Sequence, residues 1–299
     1  GIITKIVLKL IPAPSQSLLM LASFPDNEQA CAAVSAIFRA GIIPSTLEFM
    51  ERRAVEWVME YDHFQFDLKD EAMAFLMIEV DGNDLELLFA DCEKINIVLE
   101  KNACSEVLLA ETSVQKESIW RMRRTMPLSV KSNSIYKEED TVVPRSELPK
   151  LIRGIKEIGK RFGFESICYG HAGDGNLHVN IIKGTMSDLD WNTKLKQGIR
   201  EIFELTVALG GTISGEHGIG LVQREYMDIK YTKAHLDIMR GIKSVFDPNG
   251  IDREKLDYIM ELKNIHRGRI KEYAEKYHVQ YFAKQLFMLY INYFHFTIY

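Results

Sequence analysis

The sequence predicts an α+β fold in which ferredoxin-like repeats form a mixed, largely antiparallel sheet with helices on one face, followed by a helical C-terminal segment. Three observations support this prediction. Strand-like and helix-like stretches alternate in three successive units, cap residues such as Asp26 precede helical stretches, and the pattern beyond Trp191 becomes helical. Repeated strand-helix-strand units of this length favour one sheet covered by helices.

The individual elements follow from apolar periodicity and from cap residues. The predicted strands cover residues 1–10, 17–24, 44–50, 74–80, 105–109, 141–143, 166–169 and 177–182. Helices are predicted after Asp26 and Asn83, the second extending to Glu100, and over residues 147–162, 195–209 and 235–245. Glycines at positions 210, 211, 215 and 218 interrupt the helical region, so a loop there needs a functional reason.

Composition excludes several classes of protein. With 46% hydrophobic residues, 26% charged residues and a net charge of −5, the chain is predicted to be globular, and nucleic acid is disfavoured as a partner. The four cysteines form no CxxC pair, which argues against a disulfide framework or a thiolate zinc site and favours a cytoplasmic location. The aromatic stretch 281–299 is interrupted by polar residues, so it predicts a packed or interfacial helix and leaves membrane association open.

A cluster of metal-ligand side chains occupies residues 171–178, HAGDGNLH. Imidazole and carboxylate groups suit a borderline divalent ion, and a tight glycine turn lets His171 and His178 converge on one ion. Because His178 begins a strand, it should share a face with Asn180, while residues 177, 179 and 181 fill the core. The alternative is a hairpin turn with incidental histidines.

A second glycine-framed loop, Ser214-Gly215-Glu216-His217-Gly218, makes a shared site the better hypothesis. It adds one carboxylate and one imidazole. A flexible loop between helices is costly unless it binds something, and two such loops in one chain favour a common ligand.

These motifs resemble the C-terminal half of the FAD-linked oxidases of the vanillyl-alcohol oxidase type, a family that includes D-lactate dehydrogenase, D-2-hydroxyglutarate dehydrogenase and the D subunit of glycolate oxidase. The resemblance rests on HAGDGNLH at 171–178, SGEHGIG at 214–220 and VFDPNG at 245–250. Supporting similarity lies in GIITKIVLKLIP at the start, STLEFMER at 45–52, WRMRR after Trp120 and EEDTVVPRSELP from Glu138.

The resemblance implies a role for each site residue. His171, His178 and Glu216 would bind a divalent metal such as zinc, iron or manganese, and His217 would be the catalytic base. Arg123 would pair with the substrate carboxylate, with Lys137 a second candidate, and Asn180 would contact the substrate. For Arg123 the alternative is a solvated helix face beside Arg121 and Arg124.

The resemblance also implies FAD and a domain organisation. Residues 1–13 would be the last strand of an otherwise absent FAD-binding domain, with Ile2 and Ile3 contacting the cofactor. Residues 14–209 would form the substrate or cap domain, 210–250 an active-site loop and helices facing the flavin domain, and 251–299 an extension of unknown role. We therefore expect this chain alone to be inactive and to need a flavin domain, which either lies on a separate chain or has been removed from this one.

Three functions follow. The first is oxidation of a small D-2-hydroxy acid to a 2-oxoacid, with metal-assisted proton abstraction, hydride transfer to FAD and a flavoprotein, quinone or iron-sulfur electron acceptor. The second is a truncated, non-catalytic remnant or protein-binding subunit. The third is a metal-dependent hydrolase, although no serine or cysteine nucleophile motif accompanies the histidines. A homodimer remains open in each case.

Overall fold

The computed structural model describes residues 5–10, 12–63, 66–220 and 222–249, and the chain forms two compact units, residues 1–212 and 213–299. The strands of the first unit are β1 (Gln16–Phe24), β2 (Thr46–Glu51), β3 (Ala74–Gly82), β4 (Glu106–Ala110), β5 (Tyr136–Val142), β6 (Glu165–Gly170) and β7 (Asn176–Ile182). Its helices are α1 (Asn27–Arg39), α2 (Arg52–Asp62), α3 (Leu85–Lys101), α4 (Ser113–Asn133), α5 (Leu148–Phe162) and α6 (Asp188–Ala208).

The strands form one sheet in the order β4-β1-β3-β2-β6-β7-β5. The first four strands, with α1 and α3 as connections, have the arrangement of a ferredoxin-like repeat, and β6-β7-β5 continue the sheet. The two parts meet where β2 pairs with β6 through Phe49–Gly170 and Met50–Tyr169. Every pairing among the described strands is antiparallel, which confirms the α+β class and the antiparallel character of the sheet.

Helices cover both faces of this sheet. Alternate residues of a strand point to opposite faces, so the members of one buried cluster identify the face that a helix covers. Leu19, Met50 and Met77 form a cluster with residues of α2 and α4, which pack against each other. On the opposite face, α1 packs against α3 and α5, and α5 packs against α6. The helices α1, α3, α5 and α6 form the single layer that was expected, and we call the side of the sheet that they cover the α1–α5 face. Helices α2 and α4 form a second layer on the other side, which we call the α2–α4 face.

The sequence analysis missed α2 and α4. Helix α2 follows β2 directly and has no side-chain cap. Helix α4 does carry a signal, since Thr112 and Gln115 form a capping box in which each side chain bonds the other residue's backbone N–H. Its charged residues and Pro127, which lies inside the helix, obscure the apolar stripe. Buried Ile119, Met122 and Met126 form that stripe.

The predicted helix caps were correct at one position and wrong by one residue at the other. The Asp26 carboxylate accepts a hydrogen bond from the backbone N–H of Gln29 at 2.8 Å, as expected of an N-cap. The cap of α3 is Asp84 and not Asn83, because Asp84 Oδ1 accepts from the N–H groups of Glu86 and Leu87. Asn83 instead accepts a hydrogen bond from the N–H of Ser15 at 3.0 Å.

Residues 5–10 do not form the strand that was predicted for them. Residues 5–10 have no regular secondary structure, and Val7 and Leu10 are 83% and 88% exposed. A strand persists only where its N–H and C=O groups are paired, and these residues pair with none of the described strands. Ile2 and Ile3 and the extension 251–299 lie outside the described residues.

From Arg224 to Phe246 the second unit is largely helical, as the sequence predicts. It contains α7 (Met227–Lys230) and α8 (Lys233–Phe246), and Thr232 caps α8. Within the first unit, α6 begins earlier than predicted because Ser187 Oγ caps it by accepting from the N–H of Asp190. None of the helices in the described parts of the chain combines the length and hydropathy that crossing a bilayer requires.

Candidate active site

A glycine-dependent turn between β6 and β7 positions His171. The backbone N–H groups of Asp174 and Asn176 both donate to the carbonyl of His171, at 2.9 and 3.1 Å. Gly175 has φ +76°, and a Cβ there would lie 2.0 Å from the carbonyl oxygen of Val143. Only glycine combines this conformation with this approach, so the turn holds the His171 backbone firmly.

Strand β7 presents His178 and Asn180 on one face, as the sequence predicts. Residues 177, 179 and 181 alternate with them and are fully buried in the core. The register pairs His178 with Tyr169 and Asn180 with Ile167, so these residues share the α2–α4 face. The strand therefore directs an imidazole and an amide to the same side of the sheet.

Glu48 joins His171 to Arg123. One carboxylate oxygen lies 2.6 Å from Nδ1 of His171, and the other accepts a 2.8 Å hydrogen bond from Nε of Arg123. Glu48 is 6% exposed and Arg123 is 8% exposed. Burial alone would raise the pKa of Glu48, but the charge of Arg123 and the hydrogen bond with His171 outweigh it and lower that pKa to about 2.

Tyr169 lies at the centre of this group of side chains. Its ring centroid is 5.2 Å from the guanidinium carbon of Arg123 and 5.8 Å from the ring of His178. The Asn180 side chain donates a hydrogen bond to the carbonyl of Ile167 at 3.2 Å. Burial and the nearby Glu138 carboxylate raise the pKa of Tyr169, so the phenol stays protonated and serves to pack and orient its neighbours.

The two histidines of the first motif approach each other edge to face. Their ring centroids are 5.6 Å apart at an interplanar angle of 82°. His178 Nδ1 also lies 3.8 Å from a carboxylate oxygen of Glu138. The contact of His171 with Glu48 has the form found in metal sites, where a carboxylate holds one ring nitrogen and the other is the metal ligand. This donor set fits a borderline divalent ion.

The structure does not bring Lys137 together with these residues. Lys137 is paired with Ile181 and therefore points to the face opposite Asn180 and His178. Its Nζ lies 3.7 Å from a carboxylate oxygen of Glu139. The shared site on the α2–α4 face therefore contains Arg123 and Asn180 but not Lys137.

Arg123 does not belong to a solvated helix face. Its neighbours Arg121 and Arg124 are exposed and pair with Asp62 and Glu117 at the surface. Arg123 instead points inward from α4, beneath the sheet strands that carry Glu48 and Tyr169. A buried guanidinium needs a carboxylate partner, and Glu48 supplies it.

Glu216 and His217 lie in the second unit. There the N–H of Gly218 donates to Ser214 Oγ at 2.9 Å and closes the loop around both residues. His217 Nε2 is 3.9 Å from a carboxylate oxygen of Glu216. The glycine-framed loop expected from the sequence is thus present.

Sequence reasoning missed Glu48, Tyr169 and Glu138. The signal for Glu48 was a single acidic residue inside the apolar strand segment Thr46–Glu51, where a buried carboxylate requires a partner. Its partners lie 75 and 123 residues away, so they cannot be read from local spacing. Glu138 shares the face of Asn180 once the register of β5 is known.

Two solved structures share the fold of this chain. The chain is similar to p-cresol methylhydroxylase with substrate bound, at a TM-score of 0.59 and 11% identity, covering 81% of this chain and 52% of that one. It is also similar to a 4-ethylphenol oxidase from Gulosibacter chungangensis, at a TM-score of 0.55 and 12% identity, covering 82% and 54%. At these identities the likeness concerns the fold alone.

The chain belongs to the family described as FAD linked oxidases, C-terminal domain, whose model matches residues 13–251. It is 35% identical over 254 residues to glycolate oxidase subunit GlcD of Bacillus subtilis, covering 84% of this chain and 53% of the relative. It is 30% identical to a D-lactate dehydrogenase of Anaerostipes hadrus and 24% identical to a D-2-hydroxyglutarate dehydrogenase of Stutzerimonas stutzeri, each covering 84% of this chain and 54% of the relative. The chain therefore spans about half the length of the curated relatives it matches.

Proposed function

We propose that this chain is the substrate-binding half of an FAD-linked oxidoreductase that oxidises a small D-2-hydroxy acid to the 2-oxoacid. The relatives named for glycolate oxidase, D-lactate dehydrogenase and D-2-hydroxyglutarate dehydrogenase support this substrate class. The observation that carries the proposal is the grouping of buried Arg123 and Asn180 with two histidines on the α2–α4 face.

Arg123 is suited to bind the substrate carboxylate. Within the described residues its guanidinium makes one hydrogen bond, from Nε to Glu48, so its terminal nitrogens remain available to a ligand. A planar guanidinium can hold a carboxylate through two parallel hydrogen bonds, which orients the α-carbon as well as binding the anion. Asn180 Oδ1 is buried and accepts no hydrogen bond from the described residues, so a donor on the ligand would complete its bonding.

His171 and His178 would hold a divalent metal, with Glu216 of the second motif as the third ligand. This assignment rests on the donor chemistry of the two imidazoles and on the carboxylate that holds His171. The metal would supply Lewis acidity that lowers the pKa of the substrate hydroxyl. Asn180 and Arg123 would keep that hydroxyl and the carboxylate in a fixed orientation.

His217 would accept the hydroxyl proton as the substrate is oxidised. A neutral imidazole can act as a base near neutral pH. Bound FAD would supply the acceptor for the hydride that leaves the α-carbon. The substrate thus loses one proton and one hydride, and the carbon–oxygen single bond becomes the carbonyl of a 2-oxoacid. A flavoprotein, quinone or iron-sulfur protein would then reoxidise the flavin.

The test is turnover of the FAD-loaded enzyme, meaning this chain combined with a flavin domain and bound FAD, with a panel of hydroxy acids. Reduction of an artificial electron acceptor should occur with glycolate, D-lactate or D-2-hydroxyglutarate and should be absent with L-lactate. Arg123→Met should raise KM at least about tenfold because it removes a charge-assisted pair. Arg124→Met, on the exposed side of the same helix, is the matched control and should leave KM unchanged. Equal KM values in the two variants would contradict the role of Arg123, and no turnover of any 2-hydroxy acid would refute the proposed function.

A further inference from the structure

We infer that Glu48 is a positioning residue that sets the orientation of both the metal-binding and the substrate-binding side chains, His171 and Arg123. The inference rests on the proposed function, to which it adds a residue that touches neither metal nor substrate. Its basis is that the two carboxylate oxygens of Glu48 are divided between the two partners.

Strand pairing fixes the backbone position of Glu48 independently of its side-chain contacts. Glu48 lies inside β2, with its backbone paired to Met77 of β3 in the middle of the sheet. The side chain is buried, so water competes little for its oxygens. A carboxylate held in this way offers two acceptors at defined points, which is the requirement for orienting two donors from different elements.

On the histidine side, Glu48 selects which ring nitrogen faces a metal. Oε1 of Glu48 lies 2.6 Å from Nδ1 of His171, so the proton is held at Nδ1 and the Nε2 lone pair becomes the metal donor. Carboxylate partners of this kind orient the ring and raise its basicity, and their removal typically weakens metal binding by about 10- to 100-fold.

On the arginine side, Glu48 engages only one edge of the guanidinium. Nε of Arg123 donates to Oε2 at 2.8 Å while the Tyr169 ring contacts the guanidinium plane. Arg52 provides a contrast within the same chain, because its Nε binds Glu56 and its Nη1 donates to three backbone carbonyls. The contacts of Arg52 therefore serve the fold, whereas the terminal nitrogens of Arg123 can bind a ligand.

Metal titration of the full 299-residue chain tests the first half of the inference. Glu48→Gln keeps the size of the side chain but places an N–H₂ group against one of two donors, so it cannot serve both partners. Titrated with Zn²⁺ or Mn²⁺ alone, this variant should bind about 10- to 100-fold more weakly than the unmodified chain. The matched control is Glu51→Gln, since Glu51 is an equally buried acid on β2 that pairs with Lys156 on the opposite face. The control should keep the affinity of the unmodified chain.

Substrate kinetics of the FAD-loaded enzyme test the second half. Glu48→Gln should raise KM for the 2-hydroxy acid in addition to lowering kcat, because Arg123 loses its fixed orientation. Glu48→Asp retains the charge but has a shorter side chain that cannot reach both partners. It should therefore recover part of the metal affinity or part of the substrate affinity, but not both. The thermal melt of Glu48→Gln shows whether this variant folds. If it does not fold, Glu48→Asp is tested in its place. Metal affinity of Glu48→Asp equal to that of the unmodified chain would then overturn the inference.

His178→Ala separates this inference from the proposed function. If the unmodified chain binds metal, His178→Ala abolishes binding and Glu48→Gln binds as tightly as the unmodified chain, the role of Glu48 is refuted and the metal site stands. If the unmodified chain and His178→Ala bind metal equally or not at all, the metal site itself is refuted, and the inference about Glu48 falls with it.

Discussion

Gly175 lies against the carbonyl of Val143, and a Cβ placed at Gly175 would come within 2.0 Å of that oxygen. The backbone N–H of Val143 in turn donates to the carbonyl of Gly175 at 3.0 Å. The turn that carries His171 is therefore fastened to the end of β5 through a contact that leaves no room for a side chain.

The first prediction is that Gly175→Ala destabilises the protein far more than Gly163→Ala. Both glycines have nearly the same positive φ, +76° and +79°, but an added Cβ at Gly163 meets no atom within 4 Å. Gly163→Ala should cost about 1–2 kcal/mol for the left-handed conformation alone. Gly175→Ala should cost about 1–3 kcal/mol more because of the clash. Urea denaturation of the two variants gives the difference, and equal losses would show that the contact with Val143 can relax.

The second prediction concerns the roles of the histidines. His178→Ala should remove metal binding and turnover together, whereas His217→Ala should retain the metal and lose mainly turnover. The reason is that a ligand is needed for the ion to bind, while a base is needed only for the reaction. Metal content by elemental analysis and turnover of the FAD-loaded enzyme report the two effects separately. Full metal content in the His178→Ala protein would contradict its assignment as a ligand.

The third prediction is an order of thiol reactivity. Burial raises the pKa of Cys168 to about 12 and of Cys92 to about 11, and it places the pKa of Cys31 well above the ordinary value. A raised pKa keeps the thiol protonated at about pH 8, and only the thiolate reacts with iodoacetamide. Cys104 is the least buried of the four and should be labelled first, faster as pH rises because burial raises its pKa as well. Peptide mass spectrometry with and without urea gives the order, and rapid native labelling of Cys168 would contradict it.

Much of the fold was predictable because each repeat carries its own local signals. A continuous apolar run identifies β1, the Asp26 cap identifies α1, and alternating apolar residues identify β7, all without any knowledge of their partners. Helices α2 and α4 were missed because their charged faces dominate the local composition. Their apolar residues become a recognisable stripe only when the second face of the sheet is known to need covering.

The candidate site was also predictable only in part. The shared face of His178 and Asn180 follows from strand alternation alone. Lys137 was misplaced because β5 begins at Tyr136, about five residues before the predicted strand, and the longer strand turns Lys137 away from Asn180. The contacts of Glu48 connect β2, α4 and the β6–β7 turn, and no local pattern in any of these segments specifies the other two.

Strand β2 joins the two parts of the sheet, and its two buried acids face opposite ways, Glu48 toward Arg123 and Glu51 toward Lys156. A slip of one residue in its pairing would turn each carboxylate away from its cation and bury two uncompensated charges at once. Each such charge costs several kcal/mol, a large share of the stability of a domain. A shifted register of this central strand is thus destabilised on both faces of the sheet. The native register should therefore be strongly favoured where the two parts of the sheet meet.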